Sequence, residues 1–327
     1  MSRFVAVRTA SAAGLLLVLS FIIFCLQAVS PGDPVRASLG ANSSPAAVAE
    51  ARRRLGLDDP FFARYWHFLR DLLHGDLGQS LRTHRPVTTD LGDFLPATTE
   101  LVLVAFLLAL LLGALFAVSA SLRWPGGTAF RAVLLVGAAA PPFLLALGAI
   151  LLFYAHLGWL PASGRGGDEG AGGWVLLGSL LTLHLGTAAS ALQHVLLPAL
   201  VLSIAPAISI GRILRASLDG TLAADHVRTA RAKGLPEPGV LARHVVRNSL
   251  GPAVSMAGLQ LGFMFAGVVV VEQVFSWPGI GTYLSSSIPV SDFPAIAGVT
   301  LVLGAVYIVL NAVVDVLQAL ADPRTTA

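Results

Sequence analysis

The sequence predicts an all-α integral membrane protein, on three observations. Of its 327 residues, 55% are apolar and only 12% are charged, whereas soluble domains carry roughly 25% charged residues. Apolar runs recur along the chain at the length of about 20 helical residues that a hydrocarbon layer about 30 Å thick requires. The basic residues collect in alternate connecting segments, as they do when those segments face the cytoplasm. A soluble enzyme, a disulfide-stapled secreted domain and a disordered chain are all excluded by this composition. The single cysteine, Cys25, lies in an apolar run and has no partner for an intrachain disulfide.

Six spans are expected. The first, residues 10–29, follows Arg3 and Arg8. It is longer than a signal-peptide core and no small-x-small cleavage site closes it, so it reads as an uncleaved helix. The second, 98–119, is almost pure Leu, Val, Ala and Phe around Gly113. The third, 132–154, contains Pro141-Pro142, and the fourth, 195–214, contains Pro198 and Pro206. Proline is tolerated in membrane helices where neighbours satisfy the freed carbonyls. The fifth is 252–271 and the sixth 294–316. Residues 174–191 are apolar but hold His184 and Gly186, and read either as a seventh span or as an interfacial helix.

Charge decides the count. With six spans and an internal N-terminus, the inner segments 1–9, 120–131, 212–250 and 317–327 hold twelve Lys and Arg residues. The short outer segments 155–194 and 272–293 hold one. The long outer segment 31–97 holds eight basic and eight acidic residues, and long segments weigh little in this rule. A seventh span would move 212–250 to the wrong face. Both termini are therefore expected in the cytoplasm.

Two connecting segments exceed a simple turn. In 31–97, Ser44-Pro45 opens a short helix over 46–55, and Pro60 opens a second in which aromatics and leucines recur at helical spacing between charges. That pattern suits a helix packed on protein or lying at a membrane surface. The segment is expected to be an extracytoplasmic insert, serving either as a passive lid or as a docking surface. In 212–250 a helix over 217–232 is expected to stop at Gly234 and Pro236, with a second over 240–249. This is a basic helix-break-helix hairpin. The organisation is thus 1–30 (N-terminal end and first span), 31–97 (insert) and 98–327 (five-span core carrying the hairpin 216–250).

No catalytic signature appears. The chain has no G-x-x-x-x-G-K-[ST] phosphate loop and no H-E-x-x-H zinc motif. His226 and His244 flank the hairpin break without the further ligands that complete a zinc site. The glycine-rich 164–173 reads as an external loop. Carboxylates in spans are costly and commonly functional. Glu100, Glu272 and Asp315 all fall near span ends, which counts against a proton relay at mid-membrane.

The hairpin carries a specific pattern. Asp225-His226-Val227 followed by Arg228-Thr229-Ala230-Arg231-Ala232-Lys233-Gly234-Leu235 resembles the cytoplasmic coupling loop of bacterial ABC-importer permeases. The match continues through His244, Arg247-Asn248, Pro252 and Gly258-Leu259-Gln260. It extends over Val270-Val271-Glu272-Gln273-Val274-Phe275-Ser276-Trp277-Pro278-Gly279-Ile280-Gly281 and Asp322-Pro323-Arg324. Toward the start it takes in Pro31-Gly32-Asp33-Pro34, Leu55-Gly56-Leu57-Asp58, Gly75-Asp76-Leu77-Gly78-Gln79-Ser80 and Pro96-Ala97-Thr98-Thr99-Glu100-Leu101. Arg228, Thr229 and Ala230 stand where the general motif has Glu-Ala-Ala, a departure that the peptide branch shares. The chain therefore resembles the first permease subunit of dipeptide and oligopeptide importers.

The resemblance implies a six-helix type I ABC importer permease in the bacterial inner membrane, with a coupling hairpin between helices 4 and 5. It implies no enzymatic activity and no cofactor on this chain. A second permease subunit would complete the pathway, two ATPase domains would use ATP and Mg, and an extracytoplasmic binding protein would deliver peptide. It assigns ATPase coupling to Asp225, Arg228, Thr229, Ala230, Arg231, Ala232, Lys233 and Gly234. Glu100, Glu272, Gln260, Trp277 and Asp315 are candidates for the pathway or for structural pairing. Related nickel and glutathione permeases are the alternative within the family; a proton-coupled secondary carrier is the alternative outside it.

Overall fold

Every regular element of the chain is helical among the described residues, which are 2–29, 44–54, 58–121, 125–167 and 173–321 of a computed structural model. An isolated bridge pairs Gln79 with Pro86. The motif residues Pro31 to Pro34, Leu55 to Leu57 and Asp322 to Arg324 lie outside the described residues. The helices are α1 (Ser2–Val29), α2 (Pro45–Arg54), α3 (Phe61–Leu73), α4 (Val87–Ser121), α5 (Gly127–Ala139), α6 (Pro142–Ala149), α7 (Val175–Leu181), α8 (Leu185–Leu222), α9 (Asp225–Ala232), α10 (Glu237–Val240), α11 (Arg247–Val274), α12 (Ile280–Ser287) and α13 (Phe293–Ala321). Two π-helical stretches join them, Ile150–His156 after α6 and Leu241–Val246 between α10 and α11.

Five helical stretches are long and apolar enough to cross a membrane: Thr9–Val29, Val87–Ser121, Leu185–Leu222, Arg243–Val274 and Phe293–Val314. The expected third span is instead two shorter apolar helices, Gly127–Ala139 and Pro142–His156. Its interruption has a local cause. Ala140 and Pro141 each precede a proline, whose ring crowds a helical predecessor. Both are extended, with ψ of 144° and 142°. The ambiguous 174–191 stretch is also two pieces. α7 has seven residues, too few to span; it ends at Thr182, Leu183 turns with φ of 57°, and Leu185 opens α8. α8 therefore begins ten residues before the expected start of the fourth span and runs for 38 residues with Pro198 and Pro206 inside.

The chain divides into two compact units. The first comprises Met1–Ala97, Gly170–Gly173 and Pro278–Ile308; the second comprises Thr98–Glu169, Trp174–Trp277 and Val309–Ala327. α4 is continuous through the boundary at Ala97.

The first unit is built around Val87, Leu91, Ile280, Tyr283, Ala295 and Val299. Ile23, Ala297 and Leu301 form a second cluster with Phe68 and Leu72 of α3 packed against it. A polar clasp ties residues 80–93 to α12 and to the start of α13. Ser80 Oγ donates to Asp292 Oδ2 at 2.5 Å, and the Arg82 N–H reaches the same oxygen at 3.2 Å. Thr83 Oγ1 and the Tyr283 hydroxyl both donate to Asp90 Oδ2, at 2.5 and 3.0 Å. Arg85 lies 3.3 Å from Asp90 Oδ1, and Arg82 stacks over the Tyr283 ring. Asp90 and Asp292 are fully buried, so these partners offset a desolvation that would otherwise be costly. Burial, with added repulsion from Asp90 and Asp292, raises the pKa of the Tyr283 hydroxyl.

In the second unit α4 and α8 approach backbone to backbone. A Cβ at Gly113 would sit 2.9 Å from the Ala207 carbonyl, and one at Gly211 would sit 2.9 Å from the Gly113 carbonyl. Small residues at such a crossing allow the close packing that drives helix association in lipid.

Candidate functional site

The hairpin is assembled from three helix ends in the second unit. α8 ends at Leu222, and Ala223-Ala224 break the chain before α9. The single helix expected over 217–232 is thus two helices. On α9, Val227 and Ala230 are three residues apart and share one face. Both are buried against Ala117, Leu218, Val240 and Val245, with Leu214, Leu222 and Leu241 alongside. Asp225 at the first turn and Arg231 at the last complement the helix dipole. The Lys233 N–H caps the helix by donating to the Thr229 carbonyl, and the Gly234 N–H donates to the Arg231 carbonyl. Gly234 then turns with φ of +75°, a conformation that costs an L-residue about 1–2 kcal/mol. Its Cβ direction is open space, so backbone conformation is the requirement within this chain. After Pro236, α10 and the following π-helical stretch lead without a gap into α11.

Of the residues that the motif singles out, Asp225, Arg228, Thr229, Arg231, Ala232, Lys233 and Gly234 are exposed, while Ala230 faces the core. Arg228 and Asp225 approach to 3.7 Å at the surface, a contact of little energetic weight. α9 therefore shows a polar, largely basic face and is held by a small apolar one.

Ser249 was not legible from the motif. It is fully buried at the foot of α11. Its Oγ lies 2.8 Å from the Val245 carbonyl, 3.0 Å from Thr221 Oγ1 and 3.3 Å from the Ser217 carbonyl. This knot fixes α11 to the last turn of α8, beneath the hairpin. Nearby, Phe116, Leu135, Arg212, Arg215, Ala216 and Asp219 line an open depression of about 360 Å³.

The other candidates are placed differently. Glu100, on α4, is 2% exposed; it accepts from Arg165 Nη2 at 2.7 Å and from the Leu177 N–H at 3.0 Å. Glu272, on α11, is fully buried and accepts from Thr98 Oγ1 at 2.6 Å. The Trp277 N–H donates to the Glu272 carbonyl at 2.8 Å, and its ring is buried. Glu272, Arg165 and Leu177 are thus all fastened to residues 98–100 of α4. Gln260 is half-buried and touches Met256 Sδ at 3.8 Å. Asp315 is on α13; its side chain lies outside the described residues. Sequence reading also missed Arg165, which registered only as an isolated charge in an external segment. Among the described residues no group of three or more His, Cys, Asp or Glu gathers as a metal site.

Helices long and apolar enough to cross a membrane, joined by an exposed basic hairpin, define an integral membrane protein. Residues 109–327 match the family described as binding-protein-dependent transport system inner membrane component. Residues 1–102 match its N-terminal counterpart. The chain belongs to this family and is a multi-pass inner-membrane permease of the ABC-transporter class. It is 39% identical over 322 residues to the "Probable D,D-dipeptide transport system permease protein" of Escherichia coli, covering 95% of this chain and 94% of that one. It is 38% identical to the di/tripeptide transport system permease protein of Pseudomonas aeruginosa, covering 93% of each. It is 34% identical to the glutathione transport system permease protein of Salmonella typhimurium, covering 90% of this chain and 89% of that one.

Proposed function

We propose that this chain is one of two permease subunits of an ATP-driven peptide importer, and that α9 is the element through which partner ATPases act. The observation that carries this is the exposed basic face of Asp225–Ala232, held to the body by Val227 and Ala230. A helix gripped through such a face passes force into α8 and α11 through the apolar cluster and the Ser249 knot. ATP and Mg are used by the partners, and a binding protein delivers peptide from outside. The dipeptide and di/tripeptide relatives support peptide as cargo. The glutathione relatives support a second reading within the same class, since glutathione is itself a small peptide.

In this reading the broken pair α5–α6 is the third of six spans, residues 31–97 are an extracytoplasmic insert, and both termini are cytoplasmic. Side chains lining a pathway between two subunits are uncovered in either subunit alone. The burial of Glu100, Glu272 and Trp277 therefore supports positioning roles for them and argues against a proton-coupled carrier built on these carboxylates.

The test is Gly234→Val in the assembled importer. The substitution leaves membrane insertion intact and lowers peptide-stimulated ATP hydrolysis and peptide uptake at least several-fold. Unchanged uptake and hydrolysis would remove α9 from the coupling path.

A further inference from the structure

We propose that α3 is an interfacial membrane helix whose Phe62, Trp66 and Leu73 stripe is seated among the lipid chains of the leaflet surrounding the outer half of α1. The inference deepens the reading of residues 31–97 given above. It depends on α1 crossing the bilayer and not on what the transporter carries.

At 3.6 residues per turn, α3 divides into three sectors. Phe61, Tyr65, Phe68 and Leu72 fall within about 60° of arc, and this stripe packs on protein. The Phe61 ring lies 5.1 Å from that of Phe24, and Tyr65 lies 5.2 Å from Phe21. The Tyr65 hydroxyl reaches the Leu17 carbonyl at 3.3 Å and Ser20 Oγ at 3.0 Å. Phe68 and Leu72 pack beside Ile23, Ala297 and Leu301. The next sector holds Phe62, Trp66, Leu69 and Leu73. Phe62, Trp66 and Leu73 are 76%, 65% and 79% exposed. The remaining arc holds Ala63, Arg64, His67, Arg70 and Asp71. An apolar arc flanked by a charged one is the signature of a helix lying in the plane of a membrane interface.

Depth identifies the occupant. α3 touches α1 between Leu17 and Phe24, inside the apolar span Thr9–Val29. These contacts lie about 8–18 Å along the helix from Val29 at 1.5 Å per residue. The exposed side chains of α1 at that level, Val18, Phe21 and Ile22, belong to a helix that lipid surrounds. Phe21 is in contact with Phe61, and Phe61 meets Phe62 edge-on at 5.5 Å. The exposed stripe of α3 is therefore continuous with the lipid-facing surface of α1. Arg70 stands at the border of the polar arc beside this stripe, placed to reach phosphate groups by extending its stem, while the Arg64 guanidinium lies over the Phe24 ring of α1 at 5.8 Å.

The experiment uses the complete importer in phospholipid vesicles, with Cys25→Ser as background. Nitroxide labels are placed singly at Phe62, Trp66, Leu73, His67 and Asp71. Collision with oxygen, which concentrates in acyl chains, is compared with collision with a water-soluble nickel chelate. Labels at 62, 66 and 73 are expected to favour oxygen several-fold, and labels at 67 and 71 to favour the chelate. Access of the chelate to all five sites would make α3 a water-facing cap. Exclusion of both reagents at 62, 66 and 73 would place a protein partner on the stripe. Either result overturns the proposal. Should a labelled variant fail to assemble, the Trp66→Phe protein serves: it is expected to lose a fluorescence component that brominated acyl chains quench in the unsubstituted importer. Absence of any quenched component assigned to Trp66 also overturns the proposal. Peptide-stimulated ATP hydrolysis, measured alongside, reports on the importer reading separately.

Discussion

Arg165 and Glu100 form the least expendable pair at the scale of single residues. Both are largely buried and joined at 2.7 Å. Removing one partner of a buried pair strands the other, at about 3–5 kcal/mol. Arg165→Ala is therefore expected to lower thermal stability of the detergent-solubilised chain by about 3 kcal/mol, and the double variant Glu100→Gln/Arg165→Met by clearly less. Equal losses would show that the pair is not coupled. Tyr283 supplies a pH dependence. Its raised pKa means that the folded clasp favours the neutral hydroxyl. The stabilisation is complete below the ordinary tyrosine value of about 10 and is lost as pH rises through the higher folded value. Denaturation between about pH 8 and pH 11 should show an alkaline loss that Tyr283→Phe lacks, alongside a pH-independent penalty of about 1 kcal/mol for its hydrogen bond.

At the scale of elements, the contact between α11 and α13 is set by Gly258. A Cβ there would lie 2.3 Å from both methyl carbons of Val314. Gly258→Val is expected to destabilise by about 1–3 kcal/mol through overpacking, and Val314→Ala in the same chain should restore part of the loss; thermal unfolding of the two proteins measures it. Legibility in the sequence follows the same logic of local against distant cause. Long apolar runs, the stop at Gly234 and the helix opened by Pro60 depend on near neighbours, and each is found in the structure. The split of 217–232 at Ala223-Ala224 left no such sign, because neither alanine is a helix breaker. The seven-residue α7 hinges on the left-handed turn at Leu183, which no glycine announces. Ser249 and Arg165 draw their roles from residues 28 and 65 positions away, and a lone polar residue carries no mark of a remote partner.

At the scale of the molecule, the orientation of the hairpin is testable without transport. In the Cys25→Ser background, Ala162→Cys is expected to react with a membrane-impermeant maleimide in intact cells, and Ala232→Cys only after permeabilisation. Reaction of both in intact cells would place an even number of crossings between them and overturn the six-span reading, in which α8 alone separates the two. The motifs at 75–80 and 225–235 were legible because they lie in turns and at helix ends, where backbone geometry restricts residue choice. Candidate pathway residues were not, since sequence marks a carboxylate as costly without saying whether its surroundings are a cavity or a closed core. Glu100 and Glu272 prove to be in closed surroundings.

The length of α8 has a mechanical consequence. Its 38 residues make a rod of about 57 Å, with one end beside the Arg165 loop, where Gly166 sits against Ser190 and His194, and the other in the apolar cluster under α9. A tilt of about 5° about one end sweeps the other through about 5 Å, close to one helical pitch. Pro198 and Pro206 each remove a rung from its hydrogen-bond ladder. They lie near the middle of the rod, so a push at the hairpin arrives at the far end divided between bending and tilt, in a proportion that those two missing rungs govern.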